Sequence, residues 1–339
     1  MQTDAVNLKG RRILRHAVGL ALSLAVSAAM IAFLWFWKGI RMDALASEWN
    51  RADKWILAAV IVLSAAFHVF IGAHKMWMVL RAMRVNIGYG EALQVRLGGG
   101  PLKTVVPLEA GELVNVLYFW HHKKMPFGRA SGAMIFDRGL NLIGTSFWLL
   151  VGIILLADLA AEWQAILLIG TGAAYGLFFF FAPLHGLLVR LATRLVPKMG
   201  RFFEGILAPF REFTVGQKLF FMLYGAFFQM RSMVVCYFLF QAYGIDVDIR
   251  HAVGYIPMAV LAGHMPGVVM GAGPREAAIV ELFSAYAPPD VLLSVGLLMT
   301  ISVHAIPIFL GIPWVAWFLK RLLRKEAPPP PAPEAKAGT

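Results

Sequence analysis

Arg275 and Glu276 follow Pro274 inside a stretch, His251 to Tyr286, that is otherwise apolar enough to enter a bilayer. Proline is favoured at the first position of a helix, so this pair reads as the opening of one. The unpaired N–H groups and the dipole at such an end attract an anion such as a phosphate. Arg275 would add a guanidinium fork able to hold two oxygens. The same arginine could instead pair with a carboxylate, Glu112 being a candidate, and pin two segments together. The two roles are compatible.

Glu109 and Glu112 occupy a comparable stretch, EALQVRLGGGPLKTVVPLEAGELVNVLYFW, from Glu91 to Trp120. An uncompensated charge within a bilayer costs about 2.5–3.5 kcal/mol on insertion scales, so these carboxylates are expected to be paired, protonated or wetted. Either could carry a proton or cation that couples transport, or could be a buried partner of Arg138 or Arg231. Asp137 and Arg138 are neighbours, so on a helix they point about 100° apart. Arg138 is expected to face the centre, with Asn141 about one turn on. Arg231 lies roughly 14 residues into its apolar run, where snorkelling to the interface reaches poorly. The candidate substrate-binding residues are therefore Arg275, Glu276, Glu112, Glu109, Arg138, Arg231 and Asn141. His68, His74, Lys75, His121 and His122 lack metal-ligand spacing and read as interfacial or headgroup-level residues. No catalytic set, metal site or cofactor is expected. The single cysteine, Cys236, lies in an apolar run and reads as a packing residue.

Two broken segments must position these side chains. Pro266, Gly267, Gly271, Gly273 and Pro274 interrupt the later one; Gly98, Gly99, Gly100, Pro101, Pro107 and Gly111 interrupt the earlier one. The leg after Pro274 reaches only about Tyr286, roughly 20 Å at ~1.5 Å per residue. A hydrocarbon core is about 30 Å thick. The expectation is half-helices meeting near mid-membrane, where irregular backbone survives only against protein or a watery cavity. Corresponding interruptions in the two halves of a membrane protein point to a transporter's binding site.

The chain has 339 residues, 59% of them hydrophobic, with a mean hydropathy of +0.69, which excludes an ordinary soluble domain. Its net charge of +12 comes from Lys and Arg blocks flanking apolar runs. That arrangement encodes topology and affinity for anionic inner-leaflet lipid, not a nucleic-acid footprint. Apolar runs near 17–37, 55–80, 131–157, 163–182, 217–242 and 291–319 read as about six full spans. With the two hairpins they make eight or more hydrophobic segments. Between the fourth and fifth, LHGLLVRLATRLVPKMGRFFEGILAPFREF reads as basic amphipathic helix on the inner leaflet or as a cytoplasmic connector. The order span, span, hairpin, span occurs twice, over about 16–157 and 163–324. Three crossings per half would invert the second half. The expected fold is an all-α polytopic integral membrane protein with two inverted-topology repeats and two re-entrant broken hairpins. Both termini are expected in the cytoplasm, and residues 327–339 read as a Pro-rich disordered tail.

Several of these segments also carry a resemblance. WMVLRAMRVNIGYGEAL, the Pro107…Gly111-Glu112 segment and the Arg138 span together resemble the lysylphosphatidylglycerol synthase transmembrane family, the flippase-like domain. The strongest match, MPGVVMGAGPREAAIVELF, looks like that family's Pro…Gly-x-Gly-x-Arg-Glu-Ala signature. The resemblance covers most of Leu14–Arg324. It implies a single flippase-like domain over 1–326 that moves, or helps to move, a lipid between leaflets of the cytoplasmic membrane. Members that also synthesise aminoacylated lipid carry a soluble transferase domain after the membrane region. A short Pro-rich tail stands in that place here, so synthase activity is not implied. Val114-Asn115 follow Gly111-Glu112 where an arginine would be expected, so the resemblance supplies no phosphate contact from that hairpin.

Three functions compete. The first is translocation of a lipid, phospholipid or polyprenyl-phosphate-linked, with its anionic headgroup held between the hairpins. The second is a non-catalytic membrane partner that presents such a lipid to a separate enzyme. The third is a lipid-phosphate-dependent transferase, for which Asp246 and Asp248 are the only acidic pair in a suitable loop. The first is the expectation: not an enzyme, partnered by lipid and by a partner enzyme or a second copy of itself.

Overall fold

The computed structural model describes residue 32 and residues 50–105, 112–156, 182–196, 200–264 and 271–323. Among them there is helix and connecting turn but no strand. Four runs are long and apolar enough to cross a membrane: α1 (Lys54–Ala82), α4 (Phe127–Leu155), α7 (Val215–Ala242) and Pro289–Leu322. The last comprises α10 (Pro289–Thr300), a π-helical turn (Ile301–Ala305) and most of α11 (Ile306–Leu323). The expected spans near 17–37 and 163–182, residues Pro107, Glu109, Gly111 and Pro266, and the tail lie outside the described residues.

Between the long helices lie four short ones: α2 (Tyr89–Val105), α3 (Leu113–His122), α8 (Ile249–Ala262) and α9 (Pro274–Leu282). Their extents are about 26, 15, 21 and 14 Å at ~1.5 Å per residue, each below a hydrocarbon thickness of about 30 Å. Polar caps set where the helices start. The Asp53 carboxylate accepts from the N–H groups of Trp55 (2.8 Å) and Ile56 (3.1 Å) at the head of α1. Thr214 and Gln217 form a reciprocal capping box at the head of α7 (3.2 and 2.9 Å).

The order long, short, short, long occurs twice, and the first turn of chain is the same in both. α1 ends with Arg84 at φ 61°, and Val85 N–H returns to Leu80 O (2.9 Å). α7 ends with Gly244 at φ 69°, 160 residues later, and Ile245 N–H returns to Phe240 O (3.0 Å). This is one C-terminal motif used twice. Arginine tolerates the left-handed conformation at a cost of about 1–2 kcal/mol, whereas glycine has no such cost.

The equivalent helices α1 and α7 run in opposite directions. Asp53 N–H, before α1, donates to Ala242 O at the end of α7 (2.7 Å), while His74 late in α1 meets the Tyr224 hydroxyl early in α7 (2.8 Å). Each pair of short helices leaves one end of the bundle and comes back to it. In the first, the Tyr118 hydroxyl and Lys123 both reach Glu91 (2.9 and 2.7 Å). In the second, His251 bonds to the Tyr286 hydroxyl and Tyr255 stands edge-on to Phe283. The first hairpin closes where α1 ends and the second where α7 ends, so the two bases lie at opposite ends of the bundle.

The halves interlock. α2 packs along α11, and α8 packs along α4, so the first limb of each hairpin lies on the last long helix of the other half. Small residues let these backbones approach, as in other membrane bundles. At the α4–α7 seam a Cβ on Gly144 would stand 2.3 Å from Gly225 O. α6 (Gly200–Glu212) sits beside the start of α4, where Arg129 pairs with Glu212 (2.8 Å), and α5 (Ala182–Leu195) packs on α6. α5 leaves Leu187, Leu191 and Leu195 exposed beside Arg190 and Arg194.

Candidate functional site

Glu112 and Arg275, at the starts of α3 and α9, both reach the middle of a long helix. Glu112, at the head of α3, accepts from Lys103 Nζ (2.7 Å) and Arg138 Nη1 (3.2 Å). Arg138 is 11 residues into α4, about 17 Å from its start at ~1.5 Å per residue. In the other half, Arg275 Nη1 donates to Thr300 Oγ1 (3.0 Å) and Nη2 lies 3.4 Å from His304 Nε2. Thr300 is likewise 11 residues past Pro289, at the junction with the π turn. A π turn inside an α-helix often marks a functional site; here it carries Ser302 and His304.

Glu276 holds the second tip in shape. Its Oε2 accepts the Gly273 N–H (2.6 Å), capping α9, and the Thr300 hydroxyl donates to its Oε1 (2.5 Å). Gly271 and Gly273 have φ of 74° and 105°, a region favouring glycine. A Cβ on Gly271 would also stand 2.2 Å from Arg275 Nη2, so its bareness makes room for the guanidinium.

A cationic cluster surrounds one ring. Phe228, 2% exposed on α7, has Lys75 Nζ 5.0 Å, Arg231 Cζ 5.2 Å and Arg96 Cζ 5.9 Å from its centroid. Lys75, from α1, is tied to α4 by Asp137 O (2.7 Å), the Asp137 carboxylate (3.4 Å) and the Asn141 side chain. Arg96, from α2, bonds to His68 O and lies 3.2 Å from His68 Nε2. Arg231 Nε and Nη1 are buried without a hydrogen-bond partner. A cation over a desolvated ring gains about 2 kcal/mol, while burying an ion costs several. Phe228 alone therefore does not balance Arg231.

Lys75, Arg96, Lys103, Arg138, Arg231 and Arg275 thus gather with Glu112, Asp137 and Glu276: six cations against three acids among the described residues. Such a cluster can hold an anion. Among the described residues no three His, Cys, Asp or Glu side chains converge as a metal site.

Of the candidate residues read from the sequence, Glu112 and Arg138 come together, Arg275 and Glu276 share Thr300, and Asn141 and Arg231 face the central cluster. Glu112, weighed as a partner of Arg275, Arg138 or Arg231, is held by Arg138 and by Lys103. Lys75 and His68, read as interfacial, instead lie in the core of the site. Arg96, Thr300, His304 and Phe228 were not singled out from the sequence. An arginine inside ALQVRLGGG and a lysine seven residues before the end of α1 were the available signals, since ionisable residues within apolar runs are functional by default.

The sequence profile of the family described as lysylphosphatidylglycerol synthase TM region matches residues 19–311. The chain belongs to that family. Comparison with curated proteins and with solved structures gives no match. The lysylphosphatidylglycerol synthase TM region takes in both hairpins, α1 to α10, the π turn and every residue of the charged cluster. With its four long apolar runs, this member of the family is a multi-pass membrane protein.

Proposed function

We propose that this chain moves a lipid between the leaflets of the cytoplasmic membrane, holding an anionic headgroup between the two hairpin tips while the apolar chains stay in the bilayer. The observation that carries this reading is the cationic cluster at mid-length of the long helices, to which both halves contribute charged side chains. A cluster at that depth is a costly feature in an apolar fold unless it serves a polar passenger. The hairpins would enter the bilayer without crossing it, since none of their limbs equals its thickness. Motion of one half against the other would expose the cluster to each leaflet in turn. The termini lie in the cytoplasm on this reading, because Arg81 and Arg84 at the end of α1 and Lys320 and Arg321 in α11 mark that side. No bond is made or broken: the protein is a carrier, not an enzyme.

The test is reconstitution of the full chain into liposomes with fluorescent lipids, comparing wild type with Glu112→Gln and Arg275→Ala. Both substitutions are expected to slow leaflet exchange at least about tenfold, a loss equal to one charge-assisted contact. Exchange at the rate of protein-free liposomes with the wild type would overturn the translocator. Lipid binding without exchange would then favour a subunit that presents lipid to a separate enzyme.

A further inference from the structure

Arg231 is the residue that binding a headgroup of a single charge leaves unexplained. It is 7% exposed, two of its nitrogens have no hydrogen-bond partner, and its nearest aromatic neighbour already carries Lys75 and Arg96. The direct contacts of Arg96 are to the carbonyl and ring of His68 and to that same ring of Phe228, with Asp137 and Glu112 within electrostatic reach. Arg231 lies within electrostatic reach of Arg96 from the first half and Arg275 from the second. His304 in turn feels Arg275, Arg231 and Arg138. The fold therefore brings like charges from both halves toward one point.

We propose that Arg231 and Arg96 form the phosphate subsite for a lipid whose head carries more than one negative charge, a phosphomonoester or diphosphate, and that zwitterionic lipids are rejected. The charge count leads there. Six cations face three acids among the described residues. A zwitterionic head cancels none of that surplus, and a phosphodiester cancels one charge. A phosphomonoester carries about 1.5–2 negative charges near neutrality and presents three acceptor oxygens. Guanidinium forks match such oxygens two at a time. This assignment rests on the headgroup site proposed above but not on movement of the lipid.

The experiment is competitive displacement of a fluorescent phosphatidic acid from the purified full chain in a neutral detergent. The competitors are phosphatidic acid, phosphatidylglycerol and phosphatidylcholine with identical chains, and inorganic phosphate. Phosphatidic acid is expected to compete at concentrations at least about tenfold below the phosphatidylglycerol and phosphatidylcholine values. Arg231→Gln is expected to bring the three lipids within about threefold of one another. If that variant does not melt cooperatively, Arg96→Gln serves in its place and is expected to narrow the same preference. Equal competition by phosphatidic acid and phosphatidylcholine overturns the assignment, whether or not the protein moves lipid. Competition by inorganic phosphate as strong as by phosphatidic acid would also overturn it, since the ligand would be a free anion. A preserved preference without exchange in liposomes supports this assignment and removes the translocator alone.

Discussion

Glu112 ties the tip of the first hairpin to α4, and the strength of that tie can be worked from its surroundings. Its contacts are Lys103 at 2.7 Å and Arg138 at 3.2 Å, with side-chain exposures of 27% for Glu112, 23% for Lys103 and 40% for Arg138. A fully exposed pair contributes about 0–1 kcal/mol, and breaking a fully buried one costs about 3–5 kcal/mol. These exposures lie between the limits, which places the Glu112–Arg138 interaction at about 1–2 kcal/mol once solvent screening is allowed for. The measurement is a double-mutant cycle, Glu112→Gln with Arg138→Gln, read by reversible unfolding in mixed micelles. The same cycle with Lys103→Gln is expected to give an equal or larger coupling, because that contact is shorter and its cation less exposed. If the single effects instead add to within about 0.3–0.5 kcal/mol, the residues are independent and the first tip is not anchored through Glu112.

Other outcomes follow from the frame that carries the site. Gly144→Val is expected to destabilise by at least about 1–3 kcal/mol, since Gly225 O cannot withdraw, whereas Gly216→Ala, with nothing within 4 Å of a new Cβ, should be near neutral; melting in detergent distinguishes them. Arg84→Gly is expected to raise stability by up to about 1 kcal/mol by relieving a left-handed arginine, the state already present at Gly244; an unchanged or lower melting point would contradict that. Thr214→Ala removes the capping box of α7 and should cost about 1 kcal/mol in the same measurement. With buried Cys236 changed to alanine, cysteines at Asn86 and Asp246, exposed in the equivalent turns, should react with an impermeant thiol reagent from opposite sides of the membrane; labelling of both from one side would refute the opposed hairpins.

Read alone, the amino-acid sequence determined the solvent and the punctuation. Apolar runs of bilayer length dictated helices, because only such backbones satisfy their own polar groups in lipid. Gly271, Gly273 and Pro274 fixed where one helix had to break, and the polar residues at that break, Arg275 and Glu276, were legible as a site because charge in an apolar run needs a reason. The order span, span, hairpin, span occurring twice was visible from apolar runs and breaks, with little residue identity to support it, whereas the matching left-handed turns at Arg84 and Gly244 came from the structure. The partners of those charges were legible only as alternatives. Lys75, Arg96 and Arg231 come from α1, α2 and α7, separated by up to 156 positions, and only packing brings them to the face of Phe228. Glu112 illustrates the same limit: sequence offered Arg138, Arg231 or Arg275 as its partner, and tertiary structure selected Arg138 and added Lys103. Local pattern encodes what each segment can bury, but which charge meets which is decided by how closely helices such as α4 and α7 approach at their glycines.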